Sequence, residues 1–325
     1  MTGQVAEFQR LSEPHRAELR VHCYRMLGSL QDAEDLVQET YLRAWRGWEG
    51  FQGRASLRGW LYRIATNACL NVLERRKTAR RLLPEAVAPA VDGPPCAATV
   101  SEVPWLEPFP DALMEGVPDQ APGPEARYET EEAVRLAFVA AIQHLAPRPR
   151  AILLLRDVLG FSAAETAQLL DSSETSVNSA LRRARLGLRE RLPPGAQPTP
   201  SDQVQPLLDR YLQTWESTDV DGFVTLLREE AILSMPPYEE WYAGRDAIRT
   251  FLAWRWLQTR GWRHVLRPTA ANGQPAFAAY RIGEDSPRGR ASAIHVLTLK
   301  EGRIAAVTAF IEPRLLRMFG LPEEP

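Results

Sequence analysis

Asp32, Asp35 and Glu39 stand three and four positions apart in SLQDAEDLVQETYLRAWRGW, residues 29–48. On a helix that spacing gathers the three carboxylates into one exposed ridge, away from a stripe of Ala33, Leu36, Val37, Tyr41, Ala44, Trp45 and Trp48. Ser29 followed by Asp32 reads as a capping box that starts the helix. Taken alone, such a ridge offsets the helix dipole by ~0.3–1 kcal/mol. The neighbouring segment gives it more weight. In FQGRASLRGWLYRIATNACLNVLERRKTARR, residues 51–81, Phe51, Gly53 and Ser56 mark a loop, and Leu57 to Arg76 read as a helix carrying Trp60, Ile64, Ala68 and Leu70. Eight basic residues accompany those aromatics, among them Arg54, Arg58, Arg63, Arg75 and Arg76. Aromatic rings stack on unpaired bases and guanidinium groups pair with phosphates, so this composition suits single-stranded nucleic acid.

A third cluster lies in LAPRPRAILLLRDVLGFSAAETAQLLDSSETSVNSALRRARLGLRERL, residues 145–192. Ser162 with Glu165 caps a short helix, Asp171 and Ser172 turn the chain, and Ser173 opens a longer helix with Val177, Leu181, Ala184 and Leu188 on one face. This is the pattern of a helix-turn-helix. The short side chains of Ser173, Thr175, Ser176, Asn178 and Ser179 can approach base edges, and Arg182, Arg183 and Arg185 can hold phosphates.

The elements that must position these groups fall into blocks. Helical periodicity runs over 10–83 and again over 131–192, giving two all-α domains. Between them, 84–130 holds ten prolines and nine acidic residues against one basic residue, a composition expected to form an extended linker. A second linker, 193–202, precedes a mixed domain over 203–320. There a helical stretch leads into ASAIHVLTL and RIAAVTAFI, alternating segments joined by KEGR that predict a β-hairpin. The fold class is therefore multi-domain, two all-α units followed by an α+β unit. Three domains suit 325 residues, and a net charge of −2 confines any basic surface to a local patch. Cys23, Cys69 and Cys96 form no CxxC pair and no even framework, so structural thiols in a reducing cytoplasm are expected. The N-terminus lacks the apolar core of a signal peptide and no run approaches about 18 apolar residues, so no membrane association is expected.

Two nucleic-acid clusters separated by an acidic linker resemble an extracytoplasmic-function (ECF) sigma factor of the sigma-70 family. DAEDLVQETYLRAW resembles the polymerase-binding segment of promoter-melting region 2, WLYRIATNACLN its promoter-reading helix, and 131–192 resembles region 4. PWLEPFPD, in the linker, is similar to a SigG/SigJ-like subset. The resemblance implies that Asp32, Asp35 and Glu39 contact the clamp helices of core RNA polymerase. It implies that the loop from Phe51 through Arg54 to Arg58 captures a base flipped from the −10 element, with Arg63, Asn67, Arg75 and Arg76 along the same strand and Trp60 supporting the melted junction. The helix from Ser173 would enter the major groove of the double-stranded −35 element; its Asp171-Ser172-Ser173 turn is more polar than the family's usual Gly-containing turn. Family linkers at this position thread toward the RNA channel, which the acidic composition would suit.

The last block resembles a SnoaL-like domain of the NTF2-like superfamily, on YLQTWESTDVDGFVTLL and AILSMPPYEEWYAGRDAIRTFL. That resemblance implies a cone with a pocket, for which Trp215, Met235, Tyr238, Trp241, Tyr242 and His295 are the lining candidates and a small molecule the candidate ligand. His264, His295 and Asp246 are too scattered to specify a catalytic pair, so no catalytic residue, cofactor or metal is expected. The expectation is a sigma factor that binds core polymerase and promoter DNA, with a regulatory last domain. A ligand-sensing helix-turn-helix regulator is the alternative; it leaves the acidic ridge and the single-strand loop unused.

Overall fold

The computed structural model describes residues 2–51, 56–76, 80–94, 103–115, 117, 132–192, 200–284 and 286–325. Arg54 lies outside them. Helix α1 (Thr2–Ser12) precedes α2 (Arg16–Leu27), which stops at Gly28 because that residue takes φ +70° and donates its N–H to Tyr24 O at 2.7 Å. Ser29 then caps α3 (Leu30–Gly47) by accepting from Asp32 N, and Ser56 caps α4 (Leu57–Arg75) by accepting from Gly59 N. Apolar faces of α2, α3 and α4 meet in a core that includes Leu19, Cys23, Val37, Ala65 and Cys69, all at most 1% exposed. Burial pushes the Cys69 thiol well up, so it is an inert packing group.

Four further helices complete the first compact unit, Met1–Arg81 with Asp111–Pro193: α5 (Leu136–Gln143), α6 (Pro147–Leu153, continued by a π-turn over Leu154–Val158), α7 (Ala163–Leu169) and α8 (Glu174–Arg189). The two helical blocks are joined through the end of α2. The last carbonyls of any helix lack intrahelical donors. Here the carbonyl of Arg25 accepts from Gln143 Nε2 at 3.0 Å and that of Met26 from the Arg150 guanidinium, while Arg25 Nε donates to Ala133 O at 3.0 Å. Arg150 also donates to Gln143 Oε1 (2.6 Å), Gln143 O (2.8 Å) and Leu145 O (3.1 Å). This cation is 2% exposed and sits at the negative end of the α2 dipole.

The second unit is Leu82–Pro110 with Pro194–Pro325. Helices α9 (Ser201–Ser217) and α10 (Val220–Leu226) lead into β1 (Leu227–Ser234) and β2 (Trp241–Ala243). Then come α11 (Arg245–Gln258), β3 (Arg263–Ala271), β4 (Gln274–Gly283), β5 (Ser286–Lys300), β6 (Arg303–Phe310) and α12 (Pro313–Met318). The sheet order is β2-β1-β6-β5-β4-β3, with β1 and β6 parallel and every other pair antiparallel. The expected hairpin is β5 and β6, turned by Glu301 and Gly302 at φ +52° and +72°, the two positive angles of a type I′ turn. Tyr211, Phe223, Leu252, Phe277 and Val307 are among the side chains that fill the core between sheet and helices.

The stretch expected to be a free linker is corrected over its first part. Leu82 and Trp105 form a parallel bridge, Val91 N donates to Trp241 O (2.9 Å), and Trp241 Nε1 donates to Ala88 O (2.8 Å). Phe109 N donates to Asn272 Oδ1 and Phe109 O accepts from Asn272 N, both at 2.9 Å. Trp105, Leu106 and Phe109 are at most 5% exposed, and the almost buried Glu107 pairs with Arg314 at 2.8 Å. Proline forbids regular hydrogen-bond ladders but not side-chain burial, so the segment stays irregular and docked.

Candidate functional site

Helix α3 does present the acidic residues on one side, but in three different states. Asp35 is exposed. Glu39 pairs with Arg43 one turn on (2.5 Å). Asp32 accepts from both guanidinium nitrogens of Arg76 (2.6 and 2.9 Å) and from Arg81 (3.0 Å). Burial alone would raise the Asp32 carboxyl, but the hydrogen bond from Arg76 and the charge of Arg81 outweigh it and hold it below its ordinary value. Arg76, expected along the nucleic-acid strand, is thus engaged by the ridge, while Arg75 is exposed.

Phe51 stacks between two tryptophans, its centroid 5.6 Å from Trp48 at 13° and 4.8 Å from Trp60 at 28°. All three rings are half-buried, a continuous aromatic face rather than a core. Gly47 belongs to that face: a Cβ there would lie 3.2 Å from the Trp60 ring. Arg63 and Asn67 follow Trp60 on α4. Arg63 makes a two-oxygen ion pair with Asp171 at 3.0 and 3.2 Å. Arg58 belongs to α4 rather than to the preceding loop, and its guanidinium lies 4.9 Å from the Tyr62 ring and 5.2 Å from that of Phe161. Glu18 anchors it at 2.9 Å and accepts from Tyr62 Oη at 3.0 Å.

Asp171 is the turn residue of the helix-turn-helix. It takes φ +47°, where glycine is the usual occupant, and its carboxylate is mostly exposed. The capping box of Ser162 with Glu165 is complete (2.7 and 3.2 Å), and Ser173 accepts from Ser176 N to start α8. Val177, Leu181, Ala184 and Leu188 are buried as the spacing predicts. On the opposite face Ser173, Thr175, Ser176, Asn178, Ser179, Arg182 and Arg183 are exposed. Arg185 departs from the expected phosphate role: it holds the fully buried Asp157 with both ends of its fork (2.6 and 2.8 Å), a strut between α8 and the π-turn.

In the second unit a cavity of about 70 Å³ opens between α9, α11 and the sheet. Of the six candidates, Trp215, Met235 and His295 line it and the others do not. Tyr242 stacks on Phe251 in the core (4.4 Å, 24°), Trp241 serves the docked segment, and Tyr238 N–H closes a turn onto Met235 O. Arg255, Trp256, Arg281 and His264 also line the cavity, and no local spacing in the sequence marks them. His264 and Arg281 are directly opposite in the β3/β4 register, as are Phe277 and His295 in β4/β5. Only that long-range pairing brings them to one wall. His295 Nδ1 lies 3.0 Å from Tyr211 Oη, and Trp215 packs 4.8 Å from the His295 ring. Burial, then its neighbour His264, pushes His295 down to about 3; burial, then Arg255 and Arg281, pushes His264 down to about 4. Both are neutral at neutral pH.

The three sites coincide with three known families. Residues 11–80 match the family described as Sigma-70 region 2, 135–188 match Sigma-70, region 4, and 208–307 match the SnoaL-like domain. The chain belongs to the ECF RNA polymerase sigma factors of the sigma-70 family, in the form that carries a C-terminal SnoaL-like domain. It is 46% identical to ECF RNA polymerase sigma factor SigG of Mycobacterium tuberculosis over 322 residues, 98% of this chain and 84% of that one. It is 26% identical to the probable ECF RNA polymerase sigma factor SigI of the same species, over 93% of this chain and 92% of that one. The crystal structure of M. tuberculosis sigma factor SigJ shares its fold with a TM-score of 0.62 at 22% identity, covering 98% of this chain and all of that one. Among the described residues no helix is long and apolar enough to cross a membrane.

Proposed function

We propose that this sigma factor binds core RNA polymerase in the cytoplasm through the α3 ridge, Asp32, Asp35 and Glu39, and reads promoters with two faces. The aromatic face of Phe51 and Trp60, with Arg63, Asn67 and Arg75, takes the melted −10 strand, and Arg76 joins them once it leaves Asp32. The exposed start of α8, from Ser173 to Arg183, takes the −35 duplex, its serines and Asn178 at base edges and Arg182 and Arg183 on phosphates.

One observation shapes the mechanism: Arg63 of the −10 face is paired with Asp171 in the −35 reader's own turn. A guanidinium that neutralises a carboxylate is not free for a phosphate. The free chain therefore holds its two DNA readers against one another, and core polymerase must part them. The exposed ion pair contributes at most about 1 kcal/mol, so it works as a gate. The adhesion lies in the buried ring of Arg25, Gln143 and Arg150 around the end of α2.

The C-terminal unit regulates this sigma activity through the small-molecule cavity, and acts by binding rather than turnover. Among the described residues, the titratable side chains lining the cavity are two arginines and two neutral histidines, with no carboxylate to complete an acid and base pair. Runoff transcription from a promoter library tests the reading, with purified core polymerase and the full chain. Discrete transcripts that share −35 and −10 elements are expected. DNA binding without polymerase, and no transcript, would instead make the chain a helix-turn-helix regulator.

A further inference from the structure

The cavity of the C-terminal unit has a mismatch between what lines it and what satisfies it. Much of its wall is aromatic or aliphatic, from Trp215, Phe251, Trp256 and Met235. Into this apolar wall come two guanidinium-bearing side chains, Arg255 from α11 and Arg281 from β4, and among the described residues no carboxylate. Among the described residues Arg255 has no ion-pair partner. Buried polar atoms are nearly always hydrogen-bonded in folded proteins. Here His264 Nε2 and the Trp256 indole N–H have no partner among the described residues, although these side chains are only 8% and 7% exposed. An indole nitrogen can only donate, and a neutral imidazole can place its proton on Nε2. Unused donors and the unpaired charge of Arg255 in an apolar enclosure fit an acceptor that carries negative charge on an apolar body.

We propose that this cavity is a binding site for a small organic monoanion, a carboxylate on an apolar or aromatic body, held by Arg255 and Arg281 with donors from His264 and Trp256. The inference rests on the reading of the C-terminal unit as a ligand-holding regulator and names the ligand's chemical class. A neutral apolar ligand would leave the Arg255 guanidinium and the two donors unanswered. A hydrated inorganic dianion would forgo the aromatic wall. The desolvated Arg255, lowered by burial, is the group that gains most from an anion.

The test is calorimetric titration of the full chain with acetate, butyrate and benzoate, each beside its own primary amide, and with sulfate; quenching of Trp215 and Trp256 fluorescence gives a second readout. A charge-assisted bond in a dry site favours the acid over its isosteric amide by at least about tenfold. At least one acid is expected to bind with that margin, and Arg255→Gln should abolish the margin by weakening the acid far more than the amide. Arg255 is half-buried, and circular dichroism of the variant separates lost binding from lost folding; His264→Asn supplies an independent reduction. The inference is overturned if no acid outbinds its amide, if the margin survives both variants, or if sulfate competes as well as benzoate. Acid binding with unchanged transcription would keep the site and remove its regulatory role.

Discussion

Arg150 should be the residue on which the closed form of the first unit depends most. Arg150→Met removes the donor from three backbone carbonyls, those of Met26, Gln143 and Leu145, and from the Gln143 side chain. A buried carbonyl left without a donor costs about 1–2 kcal/mol, so the direct loss is about 3–6 kcal/mol. Methionine refills most of the volume and removes a desolvated cation, one that burial has pushed down to about 9, which offsets about 1–3 kcal/mol. The midpoints of these two ranges leave a net loss of about 2–3 kcal/mol in the opening free energy of α2 and α5, or about 30- to 150-fold faster amide exchange there. Hydrogen exchange followed by mass spectrometry on peptides spanning 16–30 and 136–155 measures it. Exchange unchanged within threefold would refute the reasoning, because the carbonyls would then have found water without penalty. Gln143→Leu, which removes the donor to Arg25 O, should reproduce part of the effect at the same peptides.

The exposed Arg63 and Asp171 pair predicts a separation of stability from function: Asp171→Asn should change stability by less than about 0.5 kcal/mol, yet speed association with core polymerase in a stopped-flow assay. Arg63→Ala should open the same gate but lower promoter melting, read by permanganate reactivity of the −10 thymines. In the second unit, Asn272→Ala removes the acceptor of Phe109 N and places alanine at φ +58°, costing about 2–4 kcal/mol and exposing the backbone around Trp105 to Phe109 to limited proteolysis. His22 and His295 are each lowered to about 3, burial being the first cause, against an ordinary value near 6.5. Their neutral forms contribute stability that is whole above pH 6.5 and is lost as pH falls toward 3. Each histidine should therefore cost about 2 kcal/mol between pH 6.5 and 5, and His295→Gln should flatten the acid limb of second-unit unfolding by one proton's worth.

What the sequence disclosed was local. The caps at Ser29 and Ser162 and the turn at Glu301-Gly302 involve partners within four residues, and sequence spacing reads such contacts directly. The exposed face of α8 followed from periodicity alone. What it hid depends on distant pairings. Arg63 meets Asp171 across 108 residues, and Arg185 turns inward because a buried Asp157 lies 28 residues before it. The cavity took shape only through strand register, which sets His264 opposite Arg281, so aromatics chosen by type included Tyr242 and Trp241 that serve other purposes. The proline-rich composition of 84–130 announced irregular backbone, but Trp105, Leu106 and Phe109 announced burial, and at those three residues burial prevailed. A chain cut at Pro200, natural from the sequence, would strip those three residues of the surface they pack on.

The most direct measurement of the closed sigma factor is the distance between spin labels on Asn71 of α4 and Gln168 of α7, both exposed, in the free chain and bound to core polymerase. One short distribution is expected in the free chain, lengthening and broadening when polymerase binds. An identical distribution in both states would contradict it, since the −10 and −35 readers would then never part.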